Sequence, residues 1–261
     1  MDLRKYLALL AATAFIATAG CGSKDEDDLA MGGGSGGGSS ASSGAPAPAG
    51  TASIAGKVTL SGKAPIASKI TFDADPVCKS QHASAAADEL VTVDAKGNLA
   101  NVFVYVKEGA PSTAAPTTPV VLTQHGCLYS PHVFGIQVNQ PLQIINEDST
   151  LHNVHCMATV NDSFNVGQPS QGMKTEKKFS KSEVLVKFKC DVHSWMHCVA
   201  GVVTNPYFSV SGNDGSFKIA SLPAGSYTVV AVHEKYGESQ PQKVDVKDGE
   251  AKSLSFSFTA Q

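Results

Sequence analysis

The sequence lacks a membrane-spanning helix at its start. The apolar run from Tyr6 to Ala17 is too short and ends too abruptly among small residues. It has little helical periodicity: no window of a dozen residues repeats well at 3.6, apart from a short piece around SAAADEL (84–90), so a helical bundle is excluded. It has no charge excess. A net charge of -3 over 261 residues offers no basic surface, and no nucleic-acid partner is expected. No nucleophile is paired with a base. GQPSQGMK (167–174) holds Gly and Lys without phosphate-loop spacing and reads as a turn, so the chain is expected not to be an enzyme. Tryptophan is nearly absent, and the one present, Trp195, lies in FKCDVHSWMHC (188–198), where two cysteines, two histidines and a methionine crowd together.

Arg4 and Lys5, the apolar run and the small residues after it form a secretory signal over residues 1–20. Thr18-Ala19-Gly20-Cys21 resembles a bacterial lipobox, with Thr18 where that pattern prefers Leu. The resemblance implies lipid on Cys21 and an exported chain, periplasmic or at the cell surface, anchored to a bacterial membrane. A charged segment and GGGSGGGSSASSGAPAPAG (32–50) follow, too polar to order themselves. As a flexible tether, residues 21–50 reach roughly 30 Å. Export places the cysteines in an oxidising compartment. With Cys21 lipidated, Cys78, Cys127, Cys156, Cys190 and Cys198 remain, and that odd number gives one of them another task.

The rest alternates with period two: SIAGKVTL (53–60), NVFVYVKEG (101–109), HVFGIQV (132–138), PLQIINED (141–148) and EVLVKFKC (183–190), with turn residues between. This is an all-β pattern, a sandwich or Greek-key barrel. The end of the chain reads as a second unit of hairpins, 206–261. Its pattern DG-x-F-x-I-x-x-L-P-x-G-x-Y resembles the carboxypeptidase-regulatory-like domain, a small transthyretin-like β-sandwich. The front half of that domain is missing directly upstream, and IAGKVTLSGKAP (54–65) looks like it. The division expected is a domain over 51–205 followed by the hairpin unit over 206–261, with completion of the C-terminal sandwich by strands from 52–72 as the alternative.

In strand 183–190, Val184, Val186, Phe188 and Cys190 share one face, while Leu185, Lys187 and Lys189 share the other, so Cys190 points inward at a strand end. His193 and Met196 follow at three-residue steps. INEDSTLHNVH (145–155) brings His152 through a turn at the end of another strand. A thiolate, two imidazoles and a weak thioether suit copper first and zinc second.

With these residues in view, the chain from about 120 to 205 resembles the cupredoxin family. His152-Asn153 resembles its first ligand and the residue tying the two ligand loops together. CDVHSWM resembles its closing loop with the short amicyanin-like spacing, Ser194 standing where the family usually has Pro. The resemblance implies a Greek-key cupredoxin sandwich holding one type 1 copper on His152, Cys190, His193 and Met196. It also implies an exposed His193 edge as the electron route, with Trp195 in an apolar docking patch beside it. His155 and His197 are alternative ligands, which would make a zinc site. His82, His125, His132 and His233 have no metal spacing. With Cys190 on the metal and two ligand loops in contact, the disulfides expected are Cys156–Cys198 and Cys78–Cys127.

The function expected is a membrane-tethered single-electron carrier whose partner is a cytochrome c, an oxidase or a dehydrogenase. Copper storage or delivery, and a non-redox adhesion module, are the alternatives. His-x-His pairs are absent, which argues against multicopper oxidase chemistry.

Overall fold

A strand with one wet face alternates apolar and polar residues, whereas a strand covered on both faces reads as a continuous apolar run. Both kinds occur, and their placement explains the architecture. The computed structural model describes residues 50–260. The signal segment, Cys21 and nearly all of the tether lie outside the described residues.

In chain order the first elements are β1 (Ala52–Ser61), β2 (Lys69–Ile70), α1 (Pro76–Gln81), β3 (Ala86–Ala87), β4 (Phe103–Glu108), β5 (Val120–His125), β6 (Leu128–Ser130), β7 (Val133–Gln137), β8 (Leu142–Asn146) and β9 (His152–Met157). They continue with β10 (Phe164–Gln168), β11 (Lys174–Lys177), β12 (Glu183–Lys189), β13 (His197–Val203), β14 (Phe208–Val210), β15 (Ser216–Leu222), β16 (Gly225–His233), β17 (Gly237–Glu238), β18 (Gln242–Val246) and β19 (Ala251–Thr259).

The first sandwich packs the sheet β11-β8-β5-β6 against the sheet β10-β9-β12-β13-β7. The chain passes repeatedly from one sheet to the other, the crossed connectivity of a Greek-key sandwich. Leu122, Phe134, Ile144, Val154, Phe179, Phe188 and Ala200 fill the space between the sheets. The second sandwich packs β15-β1-β19 against β14-β4-β16-β17, with β18 beside β16. Ile54, Val104, Phe217, Ile219, Val229 and Phe256 form its core.

The boundary expected at 205/206 gives way to interleaving. β1 runs parallel to β19 and antiparallel to β15, and β4 lies between β14 and β16. Two strands from the N-terminal side thus belong to the C-terminal sandwich, and the first sandwich is inserted between β4 and β14. The helix also differs from expectation. SAAADEL contains β3, and the only helix among the described residues is α1. Its start follows local chemistry: Asp75 caps it by accepting from the Val77 and Cys78 amides, and Pro76 occupies the first turn.

The two sandwiches share a dry seam. Phe103 and Tyr105 of β4, Val230 and Val232 of β16, Val133 of β7 and Val199 and Val203 of β13 meet there. The alternate residues of the same strands, such as Val104, Ala231, Phe134 and Ala200, fill one core or the other. This double burial makes β4, β13 and β16 read as unbroken apolar runs. At the seam's centre, Gly201 of β13 faces Gly135 of β7 in register, and the Phe103 ring fills the hollow they leave. A Cβ on Gly201 would overlap Phe103. Gly201→Ala is expected to destabilise by about 1–3 kcal/mol in urea unfolding. Gly167→Ala, with open space around it, should stay within about 0.5 kcal/mol of the parent. Equal midpoints for the two variants would refute the seam's packing.

β12 carries a bulge. Leu185 has φ of +62°, and the register with β13 shifts between Val184 and Val186. The expected inward face therefore holds from Val186 through Phe188 to Cys190, while Val184 and Leu185 both pack toward the seam.

Candidate metal centre

β8 ends at Asn146, whose side chain shapes the turn that follows. Its Oδ1 accepts the Asp148 amide, and its Nδ2 donates to the carbonyls of Thr150 and Gln168. The turn delivers His152, fully buried, as the first residue of β9. From the other side β12 ends at Lys189, and a tight loop follows. The Cys190 amide donates to the Met196 carbonyl, and the Met196 amide donates to the His193 carbonyl. His193 folds back over Cys190, giving its own amide to Cys190 Sγ at 3.3 Å. Met196 is wholly buried at the loop's end.

The loops converge. His152 Nδ1 lies 2.9 Å from His193 Nδ1, and Cys190 Sγ lies 3.8 Å from His193 Nδ1. All three ligand atoms are within 4.8 Å of one another. Metal–nitrogen and metal–sulfur bonds of about 2.0–2.3 Å bridge separations of that size, so the donors fit one common ion.

A carboxylate backs each imidazole, a feature that no local sequence pattern signals. His152 Nε2 is 2.9 Å from Asp148 Oδ2, and His193 Nε2 is 3.2 Å from Asp75 Oδ2. Such contacts place the ring proton on Nε2 and aim the Nδ1 lone pair inward. Two lone pairs then face each other across 2.9 Å, an arrangement that an ion or a shared proton relieves. Burial pushes the His152 imidazole below its ordinary 6.5, with Asp148 opposing, so His152 stays neutral and able to bind a cation. Burial pushes Asp148 upward, but the Cys127 amide, His152 and the Gly126 amide outweigh it and hold the carboxyl below its usual range. Asp75 also accepts the Thr150 hydroxyl through Oδ2, which joins α1 to the His152 turn.

Asn153 sits between the loops. Its Oδ1 accepts the Asp191 amide at 2.7 Å and lies 3.2 Å from Cys190 Sγ. Its carbonyl accepts the Tyr129 hydroxyl, and burial, together with the nearby Cys190, keeps that phenol protonated far above its usual range. His155 does not join the centre. It is half-buried, and its Nδ1 contacts the Asp191 carboxylate at 3.0 Å. His197 also lies apart, between Asp88 and Glu234.

Two expectations are corrected. His193 is not an exposed edge: it is 2 % exposed, covered by Asp75, and its Nε2 lies 3.6 Å from Cys78 Sγ. Trp195 closes the same side, donating to the Cys127 carbonyl and packing edge-on against Phe72, so it is part of a cover and not an open docking patch. The second correction concerns disulfides. Cys78–Cys127 is formed, while Cys156 and Cys198 are free and buried. Phe188 of β12 pairs with Cys156 of β9 on one side and Cys198 of β13 on the other. Two strand spacings of about 4.8 Å separate the thiols' backbones, beyond the roughly 7 Å a bridge can span.

No protein-family model and no curated protein matches the chain. Among solved structures it is similar to a Cu-containing nitrite reductase from Thermus scotoductus at 19% identity, covering 37% of this chain and 25% of that one with a TM-score of 0.32. It is also similar to a purple cupredoxin from Nitrosopumilus maritimus at 22% identity, covering 32% of this chain and 98% of the other, TM-score 0.28. A mutant amicyanin in the Cu(I) state gives 16% identity, 38% and 97% coverage, and a TM-score of 0.30. The chain spans a quarter of the nitrite reductase's length. That neighbour is described as an enzyme, against the expectation of a chain without catalysis.

Proposed function

We propose that this chain is a type 1 copper protein of electron transfer, exported and held to a bacterial membrane by lipid on Cys21, with residues 21–50 as its tether. The observation carrying the reading is the convergence of His152 Nδ1, His193 Nδ1 and Cys190 Sγ in one buried spot. His152, Cys190 and His193 would hold the ion, with Met196 as the weak further contact. Copper bound there would cycle one electron between its cuprous and cupric states.

The chain's own groups supply the rigidity that such cycling needs. Asp148 and Asp75 fix the two rings, Asn153 locks the loops together, and the sandwich strands anchor both. Burial excludes water from the donors. The partner would be a cytochrome c, an oxidase or a dehydrogenase, met through a small and short-lived contact. With His193 covered, exchange would pass through the cover of Trp195 and the Cys78–Cys127 segment.

Voltammetry of the copper-loaded chain tests this. A reversible one-electron wave is expected, unchanged after minutes with a cuprous chelator. Loss of copper to the chelator within seconds, with no reversible wave, would establish storage or delivery instead.

A further inference from the structure

A second cluster of donors lies outside the centre described above. His132 stands just before β7, His197 opens β13, and the Val199 amide of β13 donates to the His132 carbonyl, which fixes the two histidines side by side. Their rings meet edge to face with centroids 4.9 Å apart. Glu234, just after β16 of the other sandwich, reaches across the seam. Its Oε2 lies 3.1 Å from His132 Nε2, and its Oε1 lies 3.6 Å from His197 Nδ1. The donor atoms of all three residues fall within 4.8 Å of one another.

We infer that His132, His197 and Glu234 form a second metal site, for a divalent first-row cation of the zinc class, bridging the two sandwiches. Four observations carry it. Two imidazoles and one carboxylate are the donor set of sites that keep further positions open to water or substrate. Asp88 Oδ1 lies 3.3 Å from His197 Nε2, the nitrogen facing away from Glu234, so His197 has the carboxylate backing that orients a ligand imidazole. His132 and Glu234 side chains are only 4% and 12% exposed, so the carboxylate is held where a partner of opposite charge is needed. A cavity of about 270 Å³, lined by His132, His197, Trp195 and Tyr129 among others, opens beside the donors and gives a route for the ion and room for a small ligand.

The site has no thiolate, so an ion there gives no intense sulfur-to-metal band and can be counted separately from the first centre. The full chain, stripped of metal and dialysed against micromolar Zn²⁺, is expected to retain one more zinc per chain than Glu234→Gln or His132→Ala. Asp88→Asn is expected to bind that ion about 10–100-fold more weakly. Cys190→Ser in the first centre should leave it in place. Equal zinc content in the parent, Glu234→Gln and His132→Ala, with all three folded by circular dichroism, would overturn the inference and leave these side chains as a metal-free clasp between sandwiches. Loss of the extra ion in Cys190→Ser alone would overturn it too, since the ion would then belong to the first centre.

Discussion

Copper-loaded Cys190→Ser is expected to be nearly colourless, having lost the intense thiolate-to-copper band of the parent. Of the three free cysteines among the described residues, only Cys190 lies with the two imidazoles and can produce that band. Cys156 and Cys198 are buried in the sandwich core, and burial pushes the Cys156 thiol up to about 11 and the Cys198 thiol well above its ordinary range. Cys190 sits within reach of two imidazole nitrogens and receives the His193 amide. A serine there keeps nearly the same volume but offers a hard oxygen that a soft cuprous ion binds poorly. Met196→Leu serves as the contrasting case: the side chain stays apolar and buried, so the band should remain while the potential shifts. A band of parental intensity in Cys190→Ser would remove the thiolate from the centre, and the copper proposal with it.

The sequence exposes what is local. Period-two runs locate most strands, but the helical piece expected around SAAADEL lies instead at Pro76–Gln81, where Asp75 and Pro76 start it. The ligand spacing in CDVHSWM and the turn before His152 were legible because each lies within one short stretch. What pairs with what was harder to read. NVFVYVKEG looks like any strand, and nothing in it tells that β4 completes the second sandwich instead of the first. Cys156 and Cys198 seemed adjacent because both follow ligand loops, yet the single intervening strand β12 keeps them apart. Asp75 lies 118 residues from His193, and no pattern along the chain links them. His132 has no metal spacing along the chain because its neighbours in the cluster come from β13 and from beyond β16, at separations where spacing carries no signal. Cover and seam are products of tertiary packing, so local pattern does not reveal them.

The cover itself is expected to matter most for stability. Removing the Cys78–Cys127 bridge, as Cys78→Ser with Cys127→Ser, should cost about 4 kcal/mol, since it closes a loop spanning 49 residues of sequence and releases that much chain entropy on unfolding. For a domain of this size that corresponds to a melting temperature lower by roughly 8–16 °C. The helix α1 has only six residues and is not stable alone, so its hold on His193 depends on the bridge and on Asp75. Losing the bridge should therefore also speed copper release to a chelator, whereas Asp75→Asn should speed release with a much smaller thermal shift. Reductant added to the parent should reproduce the double variant and leave that variant's own melting point where it was. A melting point within a degree of the parent, with unchanged copper release, would mean that α1 is held by packing alone. Phe72 would then be the anchor to test, since its ring stacks on His82 and meets Trp195 edge-on, on the same side of the centre.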